Sequence, residues 1–400
     1  MLSTDGAAPD SRYSWFVAVI GAVAMVFTFG TPLSYGILRA PLSEAFGVPA
    51  VKLSVVFSVM LFTFFIGSGL IGVVAARLPV RGVILVCAVT TGLLAPTLTL
   101  VESYPALLVV FALLGLALGT VFVLLASVVP RWFEERRGAA TGLIFVGNGL
   151  GLFLLPPLWQ YAISTVGIEQ AFLLVMSVSA TVFLAAGLVC SRPSWAVTAS
   201  TTLGEIGTWV RGLLWTRRFQ LLFLGMSLAF AWYQLLAAYA IDLFAARGLT
   251  EAAASTAFGL IGGVSIVSRI GGGYAADRIG SRRAFLASLT CAAIGATLLF
   301  APQPPVLAPA IFLLGIGLGG TATLYIPLLL SVYDPEKDTA IVGIFNVAGG
   351  VGALAMPPLG TASVAYTGSY TLAILLTLGV TLVAFWAVVT GTRVDQRARA

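Results

Sequence analysis

Twelve apolar stretches, most of them longer than twenty residues, run through the chain with little between them. The first extends from about Ser14 to Ile37. The others lie near 52–75, 83–101, 105–129, 138–163, 169–190, 219–244, 252–276, 284–301, 306–333, 339–365 and 369–391. A hydrocarbon core roughly 30 Å thick needs about 20 apolar residues per helical crossing, so each stretch is long enough to span once. In lipid every backbone N–H and C=O must find its partner within the protein, and runs this long and uniform do not fit barrel strands. The expected fold class is therefore an all-α membrane protein of twelve transmembrane helices, with the lipid bilayer as its solvent. Composition agrees, since 59% of the 400 residues are hydrophobic and only 9% are charged, against about 25% charged in soluble domains.

The net charge of +6 would suggest nucleic acid in a soluble protein, but here the basic residues sit in short loops and report orientation instead. With the N-terminus in the cytoplasm, the inner loops hold Arg77 and Arg81; Arg131, Arg136 and Arg137; Arg192, Arg211, Arg217 and Arg218; Arg278, Arg282 and Arg283; Lys337; and the tail arginines Arg393, Arg397 and Arg399. The outer loops hold only Arg39, Lys52 and Arg247. Basic residues are retained on the cytoplasmic side, so both termini are expected inside, in a cell (inner) membrane. The polar segment through Tyr13 lacks the basic flank and short apolar region of a cleavable signal peptide, and the first run is read as a retained helix. There is no histidine, and Cys87, Cys190 and Cys291 lie far apart within apolar runs, which argues against a zinc site or a disulfide framework. No cofactor or metal is expected, and no nucleic-acid partner.

An internal repeat emerges when the second half is shifted back by 201 residues. Gly273 then falls on Gly72, Arg278 on Arg77, Gly343 on Gly142, Gly352 on Gly151, and Pro357-Pro358 on Pro156-Pro157. One offset joining separate places marks two related halves. The expected organisation is a six-helix half over 1–190, a cytoplasmic linker over 191–218 and a second six-helix half over 219–400, with the substrate site between the halves near mid-membrane. Within the linker, Leu203, Ile206, Trp209, Val210, Leu213 and Leu214 recur at helical spacing, which fits either a helix lying on the membrane surface or a plain connection.

Between the eighth and ninth runs the chain reads Gly273-Tyr-Ala-Ala-Asp277-Arg278-Ile-Gly280-Ser-Arg282-Arg283. Glycines permit close helix approach, and an acid beside arginines at a helix end can form a charge network that holds one gate conformation. This segment resembles the signature loop of the major facilitator superfamily, and the resemblance implies that fold and a gating role for Gly273, Asp277, Arg278 and Arg282. The counterpart in the first half keeps Gly72, Arg77 and Arg81 but has Ala76 in place of the acid, so a matching lock there is expected to be weaker.

Two further stretches narrow the resemblance. Pro130-Arg-Trp-Phe133-Glu-Glu-Arg136-Arg137-Gly138 leads into a helix through Asn148, Gly149 and Gly151 to Pro156-Pro157, and Thr31-Pro32-Leu33-Ser34-Tyr35-Gly36-Ile37 continues through Ser43-Glu44-Ala45-Phe46-Gly47. Both are similar to the fifth-helix and first-helix regions of the monocarboxylate transporters and their oxalate/formate exchanger relatives, Ser43 to Gly47 being the loop after the first helix. That family has an arginine where Arg269 stands. On physical grounds an unpaired guanidinium at this depth costs at least about 2.5–3.5 kcal/mol, so it must face a cavity or anion, snorkel to the inner surface, or pair with Asp277 two turns on. The resemblance implies that Arg269 binds a substrate carboxylate through its planar fork. Where the family often has an aspartate this chain has Ser265, and where many members carry a first-helix lysine it has Leu33, so the family's proton-coupling scheme does not carry over directly.

No second cation lies near the membrane centre, and one cation matches one carboxylate. A monoanion such as lactate, pyruvate, formate or acetate is the expected substrate and partner, with proton coupling left open. Tyr325 matches a site-lining tyrosine of the exchanger relatives, and its hydroxyl could donate to a carboxylate. Asn346 and Asn148 sit in mid-helix, where packing and substrate contact are equally good readings. Phe122, Tyr35, Trp232 and Tyr233 are candidates for an apolar wall, although aromatic residues in apolar helices more often serve packing. Leu33 and Phe122 are expected to face the short acyl tail.

The expected function is secondary transport by alternating access, by a monomer. No phosphate loop of the GxxxxGK[ST] type is present to drive transport with ATP, and no nucleophile or metal motif suggests an enzyme. A dicarboxylate (oxalate-type) anion exchanger and a drug exporter are the alternatives within transport, and a carrier-like membrane sensor is the alternative outside it.

Overall fold

Every regular element among the described residues is helical, as lipid solvation requires. The computed structural model describes residues 8–74, 78–193, 203–333 and 338–393. Ala76 and Arg77 of the first-half loop, Lys337, and the tail residues Arg397 and Arg399 lie outside the described residues. The chain divides into two compact units, Met1–Thr198 and Ala199–Ala400.

The first unit contains α1 (Arg12–Leu33), α2 (Tyr35–Phe46), α3 (Ala50–Val74), α4 (Val80–Leu94), α5 (Tyr104–Val128) and α6 (Arg137–Val189). The second contains α7 (Leu203–Leu214), α8 (Arg217–Ala237), α9 (Ala240–Ala246), α10 (Glu251–Ile279), α11 (Ser281–Leu298), α12 (Leu307–Leu330), α13 (Asp338–Thr367) and α14 (Thr371–Arg393). Ten of the helices among the described residues are long and apolar enough to cross a membrane. One of them, α6, holds two of the expected spans, because Gly167 at φ 79° leaves the helical region and turns the chain. Only glycine adopts that conformation without a Cβ penalty. The ninth expected span is α11, whose first turn carries Arg282 and Arg283.

Two spans differ from their sequence expectation. The first is cut at Ser34, where Pro32 lacks an N–H and the Ser34 hydroxyl donates to the Gly30 carbonyl at 2.7 Å. The chain resumes as α2, so Ser43 to Phe46, expected as loop, is the last turn of a helix that ends on Gly47 at φ 63°. The seventh span breaks likewise at Ala238 and Tyr239, between α8 and α9.

Packing inside each unit follows one pattern. In the first, α1 packs on α6, α3 on α5, and α4 on both α5 and α6; in the second, α8 packs on α13 and α14, α10 on α12, and α11 on both α12 and α14. The repeat read from the sequence is thus a repeat of helix pairings. The α10–α12 contact positions the site described below. Gly319 of α12 faces the Ser265 carbonyl of α10 so closely that a Cβ would overlap it, and Gly119 of α5 faces the Phe64 carbonyl of α3 in the same way.

The polar segment before α1 is tied down as well. The Asp10 carboxylate accepts the backbone N–H groups of Glu134, Glu135 and Arg136 at 3.0, 3.1 and 3.1 Å, just ahead of α6. These bonds, led by the one from Glu134, hold the carboxyl below its usual range against the opposing effect of desolvation. Tyr13 and Trp15 add edge contacts to Trp132 and Phe133, with centroids 5.3 and 4.9 Å apart.

Gly319→Ala should lower stability by about 1–3 kcal/mol, the usual effect of overpacking. Gly142→Ala, where a Cβ meets nothing within 4 Å, should be neutral or stabilising by up to about 1 kcal/mol, because alanine favours a helix interior. Thermal unfolding of both variants in detergent checks the pair, and equal effects would contradict the close-packing argument.

Candidate functional site

Arg269 is the one charged residue among the buried described residues, at 5% exposure. Ten residues separate it from Ile279 at the end of α10, or about 15 Å of helix. That is beyond the reach of a snorkelling side chain, and Asp277 does not pair with it. Its Nε and Nη2 have no hydrogen-bond partner in the protein. These two atoms lie on one edge of the guanidinium, the edge that takes a carboxylate side-on through two parallel N–H bonds. The ionisable groups acting on Arg269 are two phenols, Tyr233 and Tyr325.

Both tyrosines are set by aromatic contacts. Phe230 and Tyr233 lie three residues apart on α8 and so share a face. Phe230 meets the Tyr325 ring edge-on at 5.1 Å, and Tyr233 stacks on Phe258 of α10 at 5.9 Å with the rings 9° from parallel. Tyr325 donates its proton to the Asn346 Oδ1 at 3.1 Å, which joins α12 to α13. The Tyr233 hydroxyl is buried with no partner. Ser265, one turn before Arg269, donates to the Gly262 carbonyl of its own helix at 2.7 Å.

Of the residues expected at the site, the second unit thus assembles Arg269, Ser265, Tyr325 and Asn346 on α10, α12 and α13. Leu33 and Phe122 belong to the first unit. There Leu33 is buried at the end of α1, and Phe122 sits among Phe64, Phe29 and Phe145 at 5.5, 6.1 and 6.4 Å. Asn148 is buried with its Oδ1 unpartnered. Tyr233, read from sequence only as a wall candidate, is the residue whose chemistry was missed; a tyrosine inside an apolar run gives no sign that its hydroxyl is free.

Among the described residues, Asp277 forms no ion pair with the neighbouring arginines. Arg278 lies over the Tyr274 ring at 4.4 Å, and Arg282 donates through Nε to the Thr392 hydroxyl at 2.6 Å. Gly273 and Asp277 are exposed, and Asp277 bonds to no described residue. A cation held on an aromatic face and a bonded guanidinium are each satisfied without the acid.

A crevice of about 360 Å³ opens on another face of α10, toward α11 and α12, lined by Val264, Val267, Gly271, Phe312 and Leu324 among others. Its hydroxyls are engaged, Ser268 with the Ile316 carbonyl and Ser288 with that of Ala284. It offers an anion nothing, which leaves the Arg269 cluster as the candidate site. Among the described residues no group of three His, Cys, Asp or Glu could hold a metal ion.

Known proteins bear on this arrangement. The rat (Rattus norvegicus) monocarboxylate transporter 13 is 24% identical over 376 residues, covering 91% of this chain and 85% of its own length. The MFS-type transporter pytF of Aspergillus terreus is 27% identical over 285 residues, 69% of this chain and 94% of that one. The oxalate:formate antiporter of Oxalobacter formigenes is 27% identical over 164 residues, 40% of this chain and 38% of that one. Crystal structures of the nucleoside transporter NupG superpose with TM-scores of 0.76 and 0.72, covering 95% of this chain and 100% and 99% of those, at 12% and 13% identity, a likeness of fold. The profile of the Major Facilitator Superfamily matches residues 15–275 and 221–399, and the chain belongs to that superfamily.

Proposed function

We propose that the chain carries a small monocarboxylate across the membrane, with Arg269 as the carboxylate anchor. One observation carries this reading: a buried guanidinium whose Nε–Nη2 edge has no partner in the protein. A cation in a low-dielectric site is stable only with a counter-charge or water beside it, and the charge that this edge fits is a planar carboxylate. Among the described residues Arg269 is the one buried cation, which favours a monoanion over an oxalate-like dianion. A drug exporter would not need the guanidinium. Tyr325 serves as a wall oriented by Asn346, since its proton is committed. The relatives named for monocarboxylate transport and for oxalate:formate antiport support a small organic acid. With no Asp or Glu in the cluster, a symported proton would ride on the substrate itself.

Proteoliposomes and a panel of labelled lactate, pyruvate, formate and acetate, with and without a pH gradient, test this reading and separate carrier from sensor. Arg269→Gln should lose about 2–5 kcal/mol of binding, a factor of about thirty to several thousand in affinity. Arg269→Lys should rescue little, because an ammonium keeps the charge and loses the fork. A well-folded Arg269→Gln that takes up the acid with wild-type affinity would overturn the anchor, and competition by dianions or bulky cations would favour the alternatives. The distribution of basic loops further supports an orientation with both termini in the cytoplasm. A cysteine at Ser281 should then be labelled only from the inner face, and labelling from outside would reverse the orientation.

A further inference from the structure

We infer that Tyr233 is a second donor to the substrate carboxylate and thereby a specificity-determining residue of the Arg269 site. The inference rests on the proposed anchor and adds to it the contact that selects an anion over a neutral analogue. Tyr233 is 3% exposed, and its hydroxyl has no hydrogen-bond partner in the protein. Its ring is already fixed, stacked on Phe258 and edge-on to Trp232 at 5.6 Å. A phenylalanine would make the same ring contacts, so packing does not account for the oxygen, and burying a hydroxyl without a partner is costly.

The face of α8 that carries Tyr233 meets the Arg269 cluster at two places: Tyr233 rests on Phe258 of α10, the helix of Arg269, and Phe230, three residues before it, rests on Tyr325. Tyr233 and Arg269 act on each other electrostatically, yet no hydrogen bond joins them. The phenol and the guanidinium thus lie within electrostatic reach of each other without bonding, which leaves the donors of both for one anion. Tyr325 stands near Arg269 as well, but it gives its proton to Asn346, so of the two phenols Tyr233 alone has a donor to spare. A carboxylate bound on the Arg269 edge has lone pairs left over on both oxygens, and the Tyr233 O–H supplies a third bond. All three donors select a group that only accepts.

Tyr233→Phe separates this role from a structural one, with binding measured for whichever acid of the lactate, pyruvate, formate and acetate panel the wild type takes up. Affinity should fall by about 10- to 100-fold, the range for a hydrogen bond to a charged group. The thermal midpoint of the ligand-free protein should stay the same or rise, since an unpartnered buried hydroxyl has been removed. Arg269→Gln is measured in parallel. If Tyr233→Phe binds within about twofold of wild type while Arg269→Gln fails, the second donor is overturned and the anchor stands. If both bind as wild type does, the anchor falls and this inference with it. A Tyr233→Phe protein that is clearly less stable without ligand would assign the hydroxyl to structure and also overturn the inference.

Discussion

A single guanidinium held away from water, that of Arg269, is the strongest electrostatic constraint among the described residues. In a medium where burying a charge costs several kcal/mol, Arg269 stands out because no carboxylate among the described residues bonds to its Nε or Nη2. Its surroundings are two phenols and a set of aromatic rings, an environment that strengthens any hydrogen bond made to an incoming anion. The same environment offers nothing to a second negative charge. On the proposed reading, substrate charge is limited by what the protein leaves out as much as by what it places there.

The fold provides the geometry. Arg269 and Ser265 ride on α10, which is drawn against α12 where Gly319 lets the Ser265 carbonyl approach. That close contact sets the height of Tyr325 on α12 relative to Arg269, and the Tyr325–Asn346 bond extends the alignment to α13. On the other side α8 contributes Phe230 and Tyr233 from one face. Four helices therefore fix one polar cluster within a single unit, each through a contact that leaves the guanidinium edge unoccupied.

Much of this was legible in the sequence because lipid imposes simple rules. Helix spans need about twenty apolar residues, and the 201-residue offset returned as the same helix pairings in both units. Arg269 was legible for the same reason, since a charge inside an apolar run needs a partner wherever it lies. The breaks at Ser34 and Ala238 were not legible, because an apolar run reads alike whether or not its helix is interrupted. Tyr325 and Tyr233 show the deeper limit. Their sequence surroundings give no hint that one phenol is spent on Asn346 and the other is free, because hydrogen-bond partners on different helices are set by packing. The residues expected to form a gate illustrate it too: Asp277, Arg278 and Arg282 lie close in sequence, yet Arg278 turns to Tyr274 and Arg282 to Thr392.

The central claim is that this site recognises a negative charge of carboxylate shape. Ligand binding to the folded state raises its stability by RT ln(1 + [L]/Kd), about 2.7 kcal/mol at a hundred times Kd. The most direct test compares acids with their amides, which match them in size but are neutral and carry an N–H₂ donor. In detergent, at neutral pH and constant ionic strength, lactate, pyruvate, formate and acetate are each titrated beside lactamide, pyruvamide, formamide and acetamide while the thermal midpoint is followed. The account predicts a saturable rise with at least one acid and none with its amide. An equal rise with both members of a pair would show that charge is not what the site reads, and would contradict the account.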